Sequence, residues 1–302
     1  ATNQGLPSGA SGTLVLDTFD GELLLLDLDT QERVRLVPPD VGFANAENAP
    51  LASPDWLHFA FQDDQRRAVG GDGSRTLRVV DSTGKDIINT PWDPAWGDTT
   101  GWISNAVLAL TAPRSSSSTI VARDVFAGVD TPLVIDFPNL NTIDPIPWYF
   151  AQPLAAFDPS LTRAVYASTE HAYVLWDLPE ERALWSVPAD WPAEYPVWSP
   201  DGEYFAVVAD WWGTSGRSEL IVVSREGDVK RTIASNWEDA RVPYAFGSPA
   251  WDPTSSRVAF DVIFKSRPIC NRVSSVAVLY IETGLVTDFC QEVDYSFKPV
   301  WS

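Results

Sequence analysis

Basic residues, histidine, cysteine and long apolar runs are all scarce in this sequence of 302 residues. It carries 21 Lys and Arg against 41 Asp and Glu, so the formal net charge is −20. Proteins that bind nucleic acid or anionic lipid need basic surface, so this balance argues against both kinds of partner. Apolar runs such as Leu23 to Leu26 are far shorter than the roughly 20 residues of a membrane helix. We therefore expect no membrane-spanning segment.

The two histidines and two cysteines restrict the catalytic and metal chemistry that the chain can carry. A Ser-His-Asp triad needs a histidine oriented beside the serine, and zinc normally needs several His or Cys ligands at short spacing. We expect His58 to be a strand residue, because it lies in an apolar stretch, and His171 to be solvated in a loop. The sequence therefore favours a protein without enzymatic activity, metal or cofactor. Ca²⁺ bound by carboxylate oxygens stays an alternative, since acidic residues are abundant.

An internal repeat is clear, by contrast. Pro196-Val-Trp-Ser-Pro-Asp-Gly opens one copy, Pro249-Ala-Trp-Asp-Pro opens a second, and Pro299-Val-Trp-Ser ends the chain. Weaker copies precede them. One slot of every copy holds Ser or Asp, at intervals of about 40 to 55 residues, a period typical of repeat proteins. The residues in this slot are Ser53, Ser104, Asp158, Ser199, Asp252 and Ser302.

Each copy continues into an apolar strand that ends in a tight turn, as at Asp81-Ser-Thr-Gly84 and Glu282-Thr-Gly284. Glycine at the end of such a turn adopts a positive φ at little steric cost, which favours a hairpin. Four short strands in each repeat of about 40 to 50 residues indicate a β-propeller. The sequence therefore predicts an all-β fold whose blades have four antiparallel strands each.

The two ends of the chain set the predicted number of blades. Residues 12–37 contain the second, third and fourth strands of a blade, and residues 298–302 contain only a first strand. Together they complete one blade, which closes the ring and hides strand edges. We predict one six-bladed domain, 1–302, with a flexible lead at 1–11; the alternative is a longer protein with a seventh blade. The approximate blade bounds are 12–40 with 298–302, 50–91, 100–136, 151–188, 195–235 and 248–293.

The segment from Pro196 to Val208 resembles the WD40-like (PD40) repeat of the TolB-type six-bladed propellers. The unit of that repeat reads P-x-W-S-P-D-G followed by an apolar strand. The match is close at Pro196 and Pro249, fair at Pro50 and poor at Gly101. The resemblance implies a secreted or periplasmic scaffold or binding protein. Since propellers host many unrelated activities, it indicates architecture rather than function.

We expect structural roles for the residues of the repeat itself. Trp198 and Trp251 suit packing between neighbouring blades. The Ser-Pro-Asp-Gly turn reverses the chain at the base of the inner strand, with Asp201 able to bond its own backbone. Ser199 and Asp201 are therefore not interpreted as a nucleophile and its acid.

The loops of the predicted propeller would carry its function. The connection from each outer strand to the next inner strand opens on the same face as the loop between the second and third strands. Five such loops are rich in aromatic and acidic residues, which predicts a binding face, although the rings could instead cap the grooves between blades. The predicted face comprises Trp92, Trp96, Trp148, Tyr149, Trp191, Trp211, Trp212, Trp237, Asp93, Asp98, Asp144, Asp190, Asp210, Glu238 and Asp239.

The two cysteines fall in the last blade. Cys270 precedes its third strand and Cys290 ends its fourth. The hairpin turns near Gly284, so residues near 276 and 290 should lie opposite each other, and the segment before Cys270 can fold back. We predict a disulfide between them, which would imply an oxidising compartment. Two separate buried thiols in a cytosolic protein are the alternative.

Two functions of different classes compete. The first is a non-enzymatic propeller, secreted, periplasmic or on the cell surface, that binds a protein partner in an extracellular or envelope assembly. A signal peptide would then have been removed before Ala1. The second is carbohydrate binding or cleavage, with Trp rings as stacking platforms and carboxylates nearby, so that a glycan is the alternative partner.

Overall fold

The computed structural model of the chain describes residues 13–17, 23–27, 33–37, 51–53, 57–64, 75–81, 83–93, 96, 99–111, 119–134, 155–168, 170–189, 196–211, 217–235, 245–263, 274–289 and 300–301. The residues in these ranges form 24 β-strands and no α-helix. Accordingly, the described part of the chain contains no helix with the length and hydropathy needed to span a membrane.

Within these ranges the strands form six four-stranded antiparallel sheets, and five of the sheets each come from one continuous segment. Sheet 2 consists of β4 (Leu51–Ala52), β5 (His58–Asp64), β6 (Arg75–Asp81) and β7 (Asp86–Pro91). Sheet 3 consists of β8 (Thr99–Ser104), β9 (Val107–Thr111), β10 (Thr119–Asp124) and β11 (Val129–Val134). Sheet 4 consists of β12 (Ala155–Phe157), β13 (Arg163–Ser168), β14 (Ala172–Asp177) and β15 (Arg182–Pro188).

The remaining sheets include the one that joins the two ends of the chain. Sheet 5 consists of β16 (Val197–Trp198), β17 (Tyr204–Trp211), β18 (Arg217–Ser224) and β19 (Val229–Ala234). Sheet 6 consists of β20 (Ala245–Trp251), β21 (Arg257–Ile263), β22 (Ser274–Tyr280) and β23 (Val286–Phe289). Sheet 1 consists of β24 (Val300–Trp301), β1 (Thr13–Asp17), β2 (Leu23–Asp27) and β3 (Arg33–Val37). In sheet 1, Trp301 pairs with Leu14 and Val300 with Val15, as the split repeat predicts.

The sheets meet along their first strands. Strands β24, β4, β8, β12, β16 and β20 neighbour one another in this order, and β20 in turn neighbours β24. Each sheet continues from its first strand through the second, third and fourth, in chain order in sheets 2 to 6 and from β24 to β1, β2 and β3 in sheet 1. Four-stranded meanders that radiate from a shared centre are the arrangement of a β-propeller. The predicted all-β propeller of antiparallel sheets is therefore confirmed.

The second strand of sheet 5 shows why the inner strands read as continuous apolar runs. Residues 205–209 of β17 are all buried. Phe205 and Val207 pack in one cluster with side chains of sheet 4. Ala206 and Val208 pack in another cluster with side chains of sheet 6. Because successive side chains of a strand point to opposite faces, both faces of the sheet are covered, and the core lies between sheets.

The repeat tryptophans link neighbouring sheets by hydrogen bonds as well as by packing. Nε1 of Trp198 donates to the Ala156 carbonyl of sheet 4 at 3.1 Å. Nε1 of Trp251 donates to the Val197 carbonyl of sheet 5 at 2.9 Å. Both indoles are buried in the clusters between sheets, which confirms their predicted packing role. Each hydrogen bond also joins the first strand of one sheet to the first strand of the preceding sheet, β16 to β12 and β20 to β16.

Trp102 makes the same link although its copy of the repeat matches poorly. Its Nε1 donates to the Leu51 carbonyl of sheet 2 at 2.8 Å. The pairing of β8 with β9 skips Ile103, which lies between Trp102 and Ser104 as the extra residue of a β-bulge. The bulge absorbs the inserted residue, so the contact is kept while the sequence pattern weakens.

The turns between third and fourth strands adopt the predicted conformation. Gly84 and Gly284 have φ angles of 82° and 69°, in the left-handed region that glycine enters at least cost. The Gly84 N–H donates to the Asp81 carbonyl at 2.9 Å and closes the turn. In the corresponding turn of sheet 4, Glu181 takes this conformation with a φ of 50°. Glycine is thus preferred at this position without being indispensable.

Candidate functional site

The two ends of each sheet differ in their connections. At one end, which we call the tight-turn end, short turns join the first strand to the second and the third to the fourth, as at 53–58 and 81–86. At the other, which we call the loop end, the second strand leads to the third and the fourth leads to the next sheet, as at 64–75 and 91–99. By this connectivity, the described members of the predicted binding face lie at the loop end: Trp92, Asp93 and Trp96, and the backbone of Asp210 and Trp211.

Trp92 follows β7 directly at the loop end and is half-buried. The Arg75 guanidinium lies over its ring, 4.7 Å from the centroid, in a cation–π contact. Its indole Nε1 donates to the Trp96 carbonyl at 3.1 Å. The neighbouring Asp93 is exposed. Trp92 is therefore partly accessible as a residue and directly precedes an exposed aspartate, which is the combination predicted for the binding face.

Trp96 lies in the core and not on an exposed face, since it is only 4% exposed. Its ring packs between sheets 2 and 3, nearly perpendicular to the ring of Trp92, with 5.6 Å between the two centroids. Its indole donates to Oδ2 of Asp130 at 3.0 Å, and the Arg123 guanidinium lies 4.9 Å from the ring centroid. Between the two sheets, the indole N–H of Trp96 therefore has a hydrogen-bond acceptor and its ring face has a cation–π partner. For Trp96, the alternative of capping a groove between blades is the correct one.

The described residues include only the backbone of two further members of the predicted face. Trp211 ends β17 and pairs with Arg217, and Asp210 pairs with Ser218, so both come to the loop end of sheet 5. The other predicted members lie outside the described residues. These are Asp98, Asp144, Trp148, Tyr149, Asp190, Trp191, Trp212, Trp237, Glu238 and Asp239. The aromatic, acidic face thus stays a prediction.

The Ser or Asp of the repeat holds a tight turn. Oγ of Ser199 donates to Oδ1 of Asp201 at 2.7 Å and accepts the Tyr204 N–H at 2.9 Å. In sheet 6, Asp252 is fully buried, and its Oδ1 accepts the Ser256 N–H at 2.7 Å. These oxygens are engaged within their own turns, which is the structural role that the repeat predicts. Their bonds hold the chain reversal rather than poise a nucleophile.

The two histidines lie where the sequence places them. His58 begins β5, and His171 is exposed in the turn between β13 and β14.

Burial raises the pKa of Tyr166, and the nearby charge of Glu170 raises it further, so this phenol stays protonated at neutral pH. Among the residues that the structure describes, no three His, Cys, Asp or Glu side chains are grouped as ligands for a metal ion.

Cys270 and Cys290 both lie outside the described residues. The hairpin between them pairs Val276 with Phe289, one residue from the predicted register of 276 with 290. The disulfide between them stays a prediction.

Sequence reasoning missed a set of apolar side chains at the tight-turn end. Phe126, in the turn between β10 and β11, is 51% exposed, and Leu57, in the turn before β5, is 56% exposed. Turns normally hold polar residues and glycine. A Val-Phe pair directly after Asp124 was the available signal in the sequence.

Comparison with known proteins identifies the fold. No family model matches the sequence, and no curated protein matches it. Among solved structures, TolB from Acinetobacter baumannii is similar, with a TM-score of 0.63 and 13% identity. The similarity covers 99% of this chain and 68% of that protein. At this level of identity, the likeness shows the propeller fold alone.

Two further solved structures share the fold. The β-propeller domain of Cps50 (Swd1) from Myceliophteria thermophila has a TM-score of 0.50 at 10% identity, covering 95% of this chain and 89% of that one. A Bacteroides uniformis protein described as a 6-phosphogluconolactonase has a TM-score of 0.50 at 14% identity, covering 92% and 81%. Because the similar folds carry different descriptions, the fold by itself does not select an activity.

Proposed function

We propose that this protein is a non-enzymatic scaffold that binds a protein partner through the aromatic, acidic residues of its loop end. The observation that carries the proposal is the pair of Trp92 and Asp93, a half-buried indole beside an exposed carboxylate. Large amphipathic rings of this kind contribute strongly to protein interfaces. The repeat side chains at the opposite end, such as Ser199 and Asp252, are engaged in their turns, which supports a scaffold rather than a catalyst.

We also propose that the six sheets are the blades of one ring, closed through sheet 1. The cyclic order of the first strands supports this closure. The indole hydrogen bonds of sheets 5 and 6 follow one rule. Trp198 donates to the carbonyl of Ala156, and Trp251 donates to the carbonyl of Val197. In each case the acceptor directly precedes the residue that occupies the equivalent repeat position in the preceding sheet, Phe157 or Trp198. A closed ring leaves no first strand exposed and gives the loop end a fixed shape.

The proposed location is the cell envelope or the extracellular space. The predicted disulfide between Cys270 and Cys290 supports this location, because disulfides persist in oxidising compartments. The net charge of −20 supports a partner with basic or polar surface rather than nucleic acid or anionic lipid.

The test is binding to a protein captured by crosslinking in the native organism and then purified. Replacing Trp211 and Trp212 together by Ala should weaken this complex by about 1 kcal/mol or more. Raising the salt concentration should weaken it further, because the loop end is acidic. The matched control is Leu285→Ala, at a position 57% exposed at the tight-turn end, which should leave the affinity unchanged.

Either of two results would contradict the proposal. The double tryptophan variant could bind the partner as tightly as the parent, which would remove the loop end from the interface. A glycan array could instead show specific binding that the same variant abolishes, which would favour the carbohydrate function.

A further inference from the structure

We propose a second docking surface, at the tight-turn end between sheets 2 and 3, for a partner segment that combines apolar anchors with basic residues. We call it the apolar patch, and it consists of Leu57, Phe126 and Val129. These side chains are 56%, 51% and 56% exposed, respectively. The other large apolar side chains that are exposed in the described chain also lie at this end. They are Ile87, Val229, Leu285 and Val286.

Phe126 is displayed by a turn with a fixed shape. Oδ1 of Asp124 accepts the N–H groups of Phe126 and Ala127, at 3.0 Å and 2.8 Å. Nη1 of Arg123 donates to the Gly128 carbonyl at 2.9 Å and closes the far side of the turn. A side chain on a turn held in this way loses little conformational entropy when a partner covers it.

The patch crosses the boundary between two sheets. The rings of His58 and Phe126 meet edge to face, with 5.3 Å between centroids and an interplanar angle of 70°. His58 directly follows Leu57, so the turn of sheet 2 that holds Leu57 lies beside the turn of sheet 3 that holds Phe126. Aromatic side chains, Phe among them, are enriched at the core of protein interfaces.

Charge decides between the possible occupants. A second copy of the chain would bring another net charge of −20 to the surface, which opposes self-association. In the patch hairpin, the positive charge of Arg123 is balanced by Asp130, whose Oδ1 lies 3.0 Å from the Arg123 guanidinium. The carboxylate of Asp124, which accepts the Phe126 N–H, adds a further negative charge. The hairpin therefore offers net negative charge around its apolar side chains. A partner segment with basic residues beside its apolar anchors is complementary to both features.

The test uses two short synthetic peptides on the full chain, one alternating Lys with Leu and one alternating Lys with Ser. The Lys–Leu peptide should bind, and Phe126→Ser and Leu57→Ser should each weaken it about tenfold, as expected for an interface anchor. The matched control, Val229→Ser, changes a residue of 53% exposure at the same end in sheet 5 and should leave the affinity unchanged. Thermal melting shows that each variant is folded.

Each other outcome overturns the proposal. If the Lys–Ser peptide binds as tightly, or if Val229→Ser weakens the Lys–Leu peptide as much as Phe126→Ser does, the attraction is general and not specific to the patch. If sedimentation shows a dimer that Phe126→Ser dissociates, the occupant is a second copy. The variant with Trp211 and Trp212 both replaced by Ala should bind the Lys–Leu peptide as tightly as the parent. The two proposals are therefore tested separately, and a failure of the apolar patch does not bear on the loop-end function.

Discussion

The substitution Trp198→Phe tests whether an indole hydrogen bond between sheets contributes to stability beyond the packing of the ring. Trp198 is 8% exposed and contacts Phe205, with 5.2 Å between ring centroids. Its Nε1 donates to the Ala156 carbonyl at 3.1 Å across the boundary between sheets 5 and 4. Phenylalanine keeps an aromatic ring in the same space but has no N–H to donate.

The expected loss follows from the two contributions that the change removes. A neutral hydrogen bond contributes about 0.5–1.5 kcal/mol net, and a buried acceptor left without its partner raises this cost. The smaller ring also leaves a small cavity in a closely packed site. We therefore expect Trp198→Phe to lower the free energy of unfolding by about 2 kcal/mol, and Trp198→Ala by about 3–5 kcal/mol.

The assay is equilibrium urea unfolding followed by circular dichroism, which does not depend on indole fluorescence. Trp185→Phe is the control: Trp185 is half-buried and meets the same Phe205 by ring contact, at 5.5 Å between centroids. It should cost clearly less than Trp198→Phe. The reasoning would be refuted if Trp198→Phe cost no more than Trp185→Phe, because the hydrogen bond would then contribute nothing measurable.

Ring closure, the state of the two cysteines and the pKa of Asp81 can each be tested separately. Deleting residues 297–302 should lower the melting temperature by several degrees in calorimetry, because the deletion removes β24 and leaves the edge of β1 unpaired; an unchanged melting temperature would exclude ring closure through β24. Free-thiol titration of denatured, unreduced protein should detect neither Cys270 nor Cys290, and two titratable thiols would rule out the disulfide and remove its support for the proposed location. The Thr83 hydroxyl and nearby backbone N–H groups lower the pKa of Asp81 in the folded chain. The ionised Asp81 carboxylate therefore stabilises the fold at pH values above its pKa in the unfolded chain, and this stabilisation is lost as the pH falls through its pKa in the folded chain. Thr83→Val should raise that pKa toward the ordinary aspartate value in a carboxyl NMR titration, whereas an unmoved pKa would assign the shift to another cause.

The loop end was predicted from chain connectivity, and connectivity could not decide how individual rings are buried. Trp92 and Trp96 are four residues apart in one aromatic segment, and no local pattern separates them. The structure leaves Trp92 half-buried and buries Trp96 between sheets 2 and 3. The partner that draws Trp96 inward, Asp130, lies on β11, far along the chain. Such a contact exists only once the two sheets are side by side.

The apolar patch was missed for a related reason. Leu57 and Phe126 belong to different repeats, so the apolar turn residue of one repeat gives no sign of the other. The contact between His58 and Phe126 shows that the two turns are adjacent. Adjacency of turns across a sheet boundary depends on how the sheets are arranged about their shared centre, which no single repeat encodes.

The sequence by itself determined the elements of the fold, because their causes are local. Short apolar strands, turn glycines and the recurring Pro-x-Trp segment specify four-stranded antiparallel units wherever they occur. Even the split of one unit between the two chain ends was readable, and Trp301 pairs with Leu14 accordingly. Only the tertiary structure decided which polar and aromatic groups are buried and hydrogen-bonded between sheets, as Trp198 is, and which remain exposed at the surface, as Phe126 does. Those assignments depend on distances between sheets, and these distances arise only when the sheets pack together.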